Sequence, residues 1–330
     1  MNTERFLVVG CNSFSGSHCV SQLLKQDFPV WGVSKSKEPH DIFLPYKWRD
    51  DNNSFFFEQV DINKDLQSLL DLIDNNKITN IINFAAQSMV AESWLNPLIW
   101  YETNLISQVA FHDELRKRKS IKSYLHFTTP EVYGSTNKKW ISENNNFNPT
   151  TPYAVSRAAC DLHLMSFYKA YDFPVIFTRA ANVYGSGQQL YRIIPRTILS
   201  CLTGKTMELH GGGLSERSFI HIDDAIRATI KLSLEANAGS SWHISTRESI
   251  SIKDLVQKIC DISSVDFNTI VKVSQDRLGK DQSYLLDSSR LRREFNWKDN
   301  IKLENGLKTT KEWIVRNEDI VKSMSWKYSN

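Results

Sequence analysis

Two short stretches of the chain hold residues that can move protons. One is Thr128-Thr129-Pro130-Glu131-Val132-Tyr133-Gly134, the other Tyr153-Ala154-Val155-Ser156-Arg157. Tyr153 and Arg157 are spaced i, i+4, so a helix puts them on one face. A phenol beside a permanent cation has a stabilised phenolate and can act as a base toward a hydroxyl group. Thr129 can share that proton's hydrogen-bond network, and Glu131 adds a carboxylate. Alone, a Tyr/Arg pair at this spacing is an ordinary surface pair. What sharpens it is a second motif far upstream.

That motif is Gly10-Cys11-Asn12-Ser13-Phe14-Ser15-Gly16, which follows a short apolar strand and opens a helix. It reads as a variant of the glycine-rich dinucleotide turn. Gly10 permits the tight turn and Gly16 a close helix–sheet approach. Ser13, Phe14 and Ser15 bring helix N-terminal amides and the positive dipole end to a pyrophosphate. Ser13 stands where the usual pattern has its middle glycine, narrowing the approach. The second strand ends in Ser34 and Lys35, with no acid to accept from an adenosine ribose. Donors and a positive charge there lean toward NADP over NAD, against the competing reading of a solvated lysine loop. Asp61 and Ile62, after the third strand, suit an adenine edge and face. Ala85, Ala86, Gln87 and Ser88 follow the fourth strand.

These motifs need an architecture to hold them. Strand-like segments at 5–9, 30–33, 55–60, 80–84, 123–127 and 175–178 alternate with helix-like segments at 16–26, 66–74, 101–117 and 153–171. Such alternation predicts a parallel sheet covered by helices on both faces, with ligands beyond the carboxyl ends of the strands. Each motif falls at such an end. After Gly185 the pattern loosens. Helices are expected at 193–202, 223–235, 252–260, 288–295 and 306–317, a tight turn at 211–213, and a strand at 242–244 returning to the main sheet. The expected fold is therefore α/β: a Rossmann-type doubly wound parallel sheet (1–185 and 220–246) with a smaller discontinuous C-terminal α/β substrate domain (186–219 and 247–330).

Composition narrows the partners. The chain has 330 residues, 40 Lys and Arg against 37 Asp and Glu, 41% hydrophobic and 23% charged residues. A net charge of +3 is too weak to argue for nucleic acid. No apolar run approaches the roughly 20 residues of a membrane helix, and the N-terminus lacks a signal-peptide layout. Five scattered cysteines without a C-x-x-C suggest reduced thiols in a cytoplasmic protein and no metal site.

The chain resembles the nucleotide-sugar epimerase/dehydratase family of extended short-chain dehydrogenases/reductases, essentially end to end. Carrying the resemblance are 128–134, 151–157 (Thr-Pro-Tyr-Ala-Val-Ser-Arg), 179–185 (Arg-Ala-Ala-Asn-Val-Tyr-Gly), 192–195, 216–224, 276–281 and 287–290. Within the family it is most similar to the 4,6-dehydratases. The resemblance implies a bound, recycled NAD(P) and a nucleotide-diphosphate-sugar substrate. Tyr153 would deprotonate the sugar 4-hydroxyl while hydride leaves C4. Glu131 would take the C5 proton, water would leave C6, and hydride would return there. Thr129 and Arg157 would assist Tyr153. Ser88, Asn182, Arg192, Arg217 and Arg277 would hold the substrate, the arginines through charged contacts to phosphate. A 4-epimerase or a uronate decarboxylase on the same scaffold, or a binding protein with weakened chemistry, stands as the alternative. Family members are usually dimers through two long helices per subunit, here 101–117 and 153–171. Three positions depart from the pattern: Arg157 where lysine is usual, Pro130 where the dTDP-glucose type has an acid, and Tyr191 where it has glutamate.

Overall fold

The computed structural model describes residues 4–48, 54–276, 279 and 281–328. Seven strands form one parallel sheet: β1 Phe6–Val9, β2 Val30–Ser34, β3 Phe55–Gln59, β4 Asn80–Asn83, β5 Ser123–Thr128, β6 Val175–Ala180 and β7 Ser241–Ile244. Their order is β7-β6-β5-β4-β1-β2-β3, and every neighbouring pair is parallel. From β1 the chain runs outward through β2 and β3, then returns to the far side of β1 as β4. The switch in direction therefore lies between β1 and β4, where such sheets open a crevice for ligands.

Alternate strand residues feed two cores. Phe6, Val8, Ile82, Leu125 and Ile176 pack on one face with Cys19, Val20 and Leu23 of helix Phe14–Leu24 and Ile226 of helix Ile222–Glu235. Leu7, Val9, Ile81, Tyr124 and Phe177 pack on the other with Leu69, Phe111, Cys160 and Leu164. The period of two is what a strand buried on both faces imposes. The edge strand β3 is open to water, at Phe56 and Glu58 on one face and Gln59 on the other.

The helix expected over 101–117 is present over 97–115, with a π-helical turn inside it. It runs as Pro97–Tyr101, a π-helical turn Glu102–Ile106, and Ser107–Leu115. The wider turn brings Asn104, which is fully buried, over the loop that follows β4.

A third core lies away from the sheet. Ile194, Ile198, Leu255, Ile259, Leu307, Trp313 and Ile314 join helices Ile193–Thr203, Ile252–Ser263 and Leu303–Arg316. Helix Glu318–Ser323 follows them, unforeseen because it is so short. Among the described residues four small strand pairs tie segments outside the main sheet together, among them Asn182–Tyr184 with Phe219–His221 and Met207–His210 with Val271–Ser274. Strands of two to four residues are too short for alternation to reveal. Gly211, Gly212 and Gly213 form the expected tight turn, with φ of 58°, 65° and 71°.

Candidate active site

The glycine turn is as narrow as the sequence suggests. Gly10 has φ +81°, and a Cβ on it would lie 2.9 Å from the Ala85 amide nitrogen. A Cβ on Gly16 would lie 2.1 Å from the Gly10 carbonyl oxygen. Gly16 thus works from beneath, by letting helix and turn touch. Ser13 caps the helix, its hydroxyl accepting from the Gly16 amide at 3.1 Å. That task is local, and it explains a serine where a third glycine is usual. Gly10, Ser13, Phe14 and Ser15 line a cleft of about 810 Å³ beyond the strand ends.

Around that cleft the ends of successive strands meet. Ser34 and Lys35 line it after β2, where Ser34 Oγ accepts from the Asn12 amide at 3.0 Å. Asp61 and Ile62 line it after β3, and Ala85, Ala86, Gln87 and Ser88 after β4. Asn104 clamps this last loop. Its Oδ1 accepts from the Gln87 amide at 2.8 Å, and its Nδ2 donates to Gln87 O and to Ser156 Oγ, each at 3.0 Å. One buried amide so ties the cofactor-side loop to the helix that carries Tyr153.

Thr129, Glu131, Tyr153 and Arg157 all line the same cleft. Thr129 caps the 3-10 turn Pro130–Tyr133, and its Oγ1 accepts from the Glu131 amide at 3.3 Å. Pro130 sits at the first position of that turn, where its missing N–H costs nothing. Thr151 caps helix Pro152–Tyr171 through the Ala154 amide at 3.1 Å, setting Tyr153 in the first turn. The Tyr153 phenol is held above its ordinary pKa, first by burial and next by Glu131. Arg157, the Thr129 hydrogen bond and Arg192 pull it down. The sequence expectation was a phenolate favoured by its neighbouring cation. Burial outweighs that cation, so Arg157 offsets only part of the rise.

On the opposite wall, Asn182 Oδ1 accepts from the Tyr284 hydroxyl at 3.0 Å. Arg217 stacks over the Tyr284 ring at 4.0 Å and donates to the carbonyls of Glu216, Asp281 and Gln282. Its fork is thus largely committed to backbone. Arg192 Nη2 donates to Ser88 Oγ at 3.2 Å, bridging the two walls. Arg277 lies outside the described residues. Sequence reading missed Asn104, Tyr284 and Tyr328. Tyr328 meets the Tyr191 ring edge-on at 5.3 Å and donates to Gln87 Oε1 at 3.4 Å. No local motif marks either tyrosine, since both arrive from distant segments.

The residues present fit a dinucleotide. The cradle at Gly10 and Gly16 excludes any side chain, and helix amides open onto it. Arg157 is buried, with Nε and Nη1 shut off from solvent and without a hydrogen-bond partner.

A family model described as GDP-mannose 4,6 dehydratase matches residues 7–310. Among curated proteins, the chain is 28% identical over 323 residues to a trifunctional UDP-glucose 4,6-dehydratase/3,5-epimerase/reductase of Arabidopsis thaliana, covering 96% of this chain and 48% of that protein. The chain therefore spans about half the length of these plant relatives. It is 29% identical to the dTDP-glucose 4,6-dehydratase of Streptomyces griseus, covering 96% of this chain and 95% of that one. Among solved structures, dTDP-glucose 4,6-dehydratase from Bacillus anthracis in complex with NAD superposes with a TM-score of 0.87 at 26% identity, covering 96% and 98% of the two chains. Its cofactor is NAD, and the lean to NADP read from Ser34 and Lys35 finds no support among the structural neighbours.

Proposed function

We propose a nucleotide-sugar 4,6-dehydratase, because the chain belongs to the GDP-mannose 4,6 dehydratase family. The observation that carries the reading is Glu131 beside Tyr153 in one cleft, close enough for the carboxylate to raise the pKa of the phenol. Dehydration needs two bases, one at the sugar's O4 and one at C5. An epimerase needs only the first.

A bound nicotinamide dinucleotide supplies a reversible hydride acceptor at the sugar. Gly10, Ser13, Phe14 and Ser15 would hold its pyrophosphate, with Gly16 packing beneath them. Ser34 and Lys35 would meet the adenosine ribose, and Asp61 and Ile62 the adenine. Ala85, Ala86 and Gln87 would line the path to the nicotinamide end. NAD is the form the relatives favour, and Lys35 is the residue that would admit a 2′-phosphate.

Tyr153 takes the proton of the 4-hydroxyl, with Thr129 sharing its hydrogen bond and Arg157 stabilising the phenolate. The resulting 4-ketone acidifies C5, and Glu131 removes that proton. Water then leaves C6, and return of the hydride to C6 with a solvent-derived proton to C5 would complete the 4-keto-6-deoxy sugar and leave the dinucleotide as it began. Pro130 has no acid to give, so Glu131 is the group available to hand its proton to the departing hydroxide. Ser88, Asn182, Arg192, Arg217 and Arg277 would hold the sugar and diphosphate. The nucleotide-sugar side would be built from 186–219 and 247–330, the dinucleotide side from 1–185 and 220–246. A homodimer through helices 97–115 and 152–171, and a cytoplasmic setting, complete the proposal. Among the described residues no helix is long and apolar enough to cross a membrane.

Incubation with dTDP-, UDP-, CDP- and GDP-hexoses tests this. An alkali-sensitive 4-keto product with retained cofactor supports dehydration. Interconversion of sugars without a keto product, carbon dioxide release from a uronate, or binding without turnover each contradicts it.

A further inference from the structure

Arginine stands at 157 where the family resemblance leads to an expected lysine, and its longer side chain has a defined anchorage. Nη2 donates to the Phe127 carbonyl at 2.6 Å and faces Nε2 of His126 at 3.3 Å. Beyond the imidazole, the same Nε2 lies 3.4 Å from Asp161 Oδ1, while Arg179 binds Asp161 Oδ2 at 2.7 Å. Tyr153, Arg157 and Asp161 follow one another at four-residue steps, along one face of helix Pro152–Tyr171. His126 enters from β5 between the guanidinium and the carboxylate.

The protonation of the ring follows from its neighbours. A guanidinium is always charged and has only N–H groups to offer. A hydrogen on Nη2 that is not used by Phe127 faces Nε2, and a second hydrogen there would set two donors head to head. A lone pair on Nε2 takes that hydrogen and leaves the ring neutral, with Asp161 Oδ1, 3.4 Å from the same nitrogen, competing for a hydrogen there. Burial and Arg157 draw the His126 pKa down to about 4, with Asp161 opposing, which keeps it neutral near pH 7. Asp161 Oδ1 and His126 Nδ1 then lack hydrogen-bond partners.

We propose that His126 is a positioning residue for Arg157: its neutral Nε2 takes the hydrogen that Phe127 leaves over. The fork is thereby fixed, and the positive charge is kept beside Tyr153. A lysine ammonium has no fork to orient and needs no such bracket. The inference rests on Tyr153 and Arg157 acting as the oxidation pair. The groups that act on Tyr153 are Glu131 from the 3-10 turn, Arg192 at the mouth of helix Ile193–Thr203, and Arg157 itself. Those around His126 are Arg157 and Asp161 from the helix, Arg179 from β6 and His112 from helix Ser107–Leu115.

The test compares cofactor-loaded wild type with His126→Phe, His126→Gln, Arg157→Lys and the Arg157→Lys/His126→Phe double variant. The readout is the Tyr153 phenolate, titrated by near-ultraviolet absorbance against Tyr153→Phe. His126→Phe is expected to raise the Tyr153 pKa by about one unit and to lower kcat about tenfold at unchanged KM. His126→Gln, whose amide oxygen still accepts, is expected to stay near wild type. In the lysine background the His126→Phe change is expected to move the pKa by less than about 0.3 unit. Equal shifts in both backgrounds, or none with arginine present, overturn the proposal. Nitrogen-15 shifts of the wild-type imidazole judge it without any variant: a protonated Nε2 overturns it. The titration needs no sugar substrate. Failure to turn over any nucleotide sugar would therefore count against the functional reading alone.

Discussion

The carboxylate of Asp161 meets the guanidinium of Arg179 at 2.7 Å, and neither side chain reaches solvent. The pair ties the helix that carries Tyr153 and Arg157 to β6. Arg179 also lies over the rings of Tyr133 and Phe147, at 5.2 and 5.0 Å. Two charges taken from water are tolerable only together. Asp161→Asn leaves Arg179 buried without its counter-ion and is expected to cost about 3–5 kcal/mol in urea unfolding. A loss of less than about 1 kcal/mol would be the behaviour of a solvated pair.

Gly16→Ala should separate cofactor retention from the chemistry of the base. The added methyl group meets the Gly10 carbonyl oxygen at 2.1 Å, so the turn and the helix must part. Overpacking of this kind costs about 1–3 kcal/mol. The purified variant is expected to lose most of its nicotinamide dinucleotide, measured by release and mass. Full retention would show that the turn does not cradle it.

Asn104→Ala removes three hydrogen bonds between the π-helical turn, Gln87 and Ser156. Leaving buried partners unsatisfied costs about 1–3 kcal/mol each at most. Lower stability, together with weaker dinucleotide affinity by titration calorimetry, is expected. Lost stability with wild-type affinity would make Asn104 a packing residue only.

How much of this was legible in the sequence follows from how local each signal is. The turn at Gly10–Gly16 and the Tyr153/Arg157 spacing are set within a few residues, and their places in the cleft agree with that reading. The return of 241–244 to the sheet was legible as a short apolar strand after a helix. The π-turn at 102–106 was not, because its residues keep an ordinary helical pattern and the partners of the buried Asn104 lie far away in sequence. Tyr284 and Tyr328 reach the cleft through long-range packing, which no spacing records. The raised pKa of Tyr153 was missed for the same reason: charge is read from neighbours in sequence, burial from neighbours in space.

Acid should destabilise the fold well above the carboxylate range. His243 is drawn down to about 3, by burial first and then by Arg179, and His126 to about 4. Unfolded, both titrate near 6.5, so below that pH the unfolded chain binds more protons. Their contribution is whole above pH 6.5 and is lost as pH falls toward the folded values of about 3 and 4. Each histidine gives a slope of about 1.4 kcal/mol per pH unit across its window. Urea midpoints at pH 7, 6 and 5 are expected to fall steadily, less so in His243→Gln. A flat profile over that range would contradict buried neutral imidazoles.

We propose that Glu131 takes a proton from C5 of a nucleotide-linked hexose after oxidation at C4. The most direct measurement is turnover in deuterium oxide with the product read by NMR. A 4-keto-6-deoxy sugar nucleotide with solvent deuterium at C5 is predicted, with its formation abolished or greatly slowed in Glu131→Gln. A 4-epimer carrying no solvent deuterium, or deuterated keto product formed undiminished by Glu131→Gln, would rule out Glu131 as the C5 base.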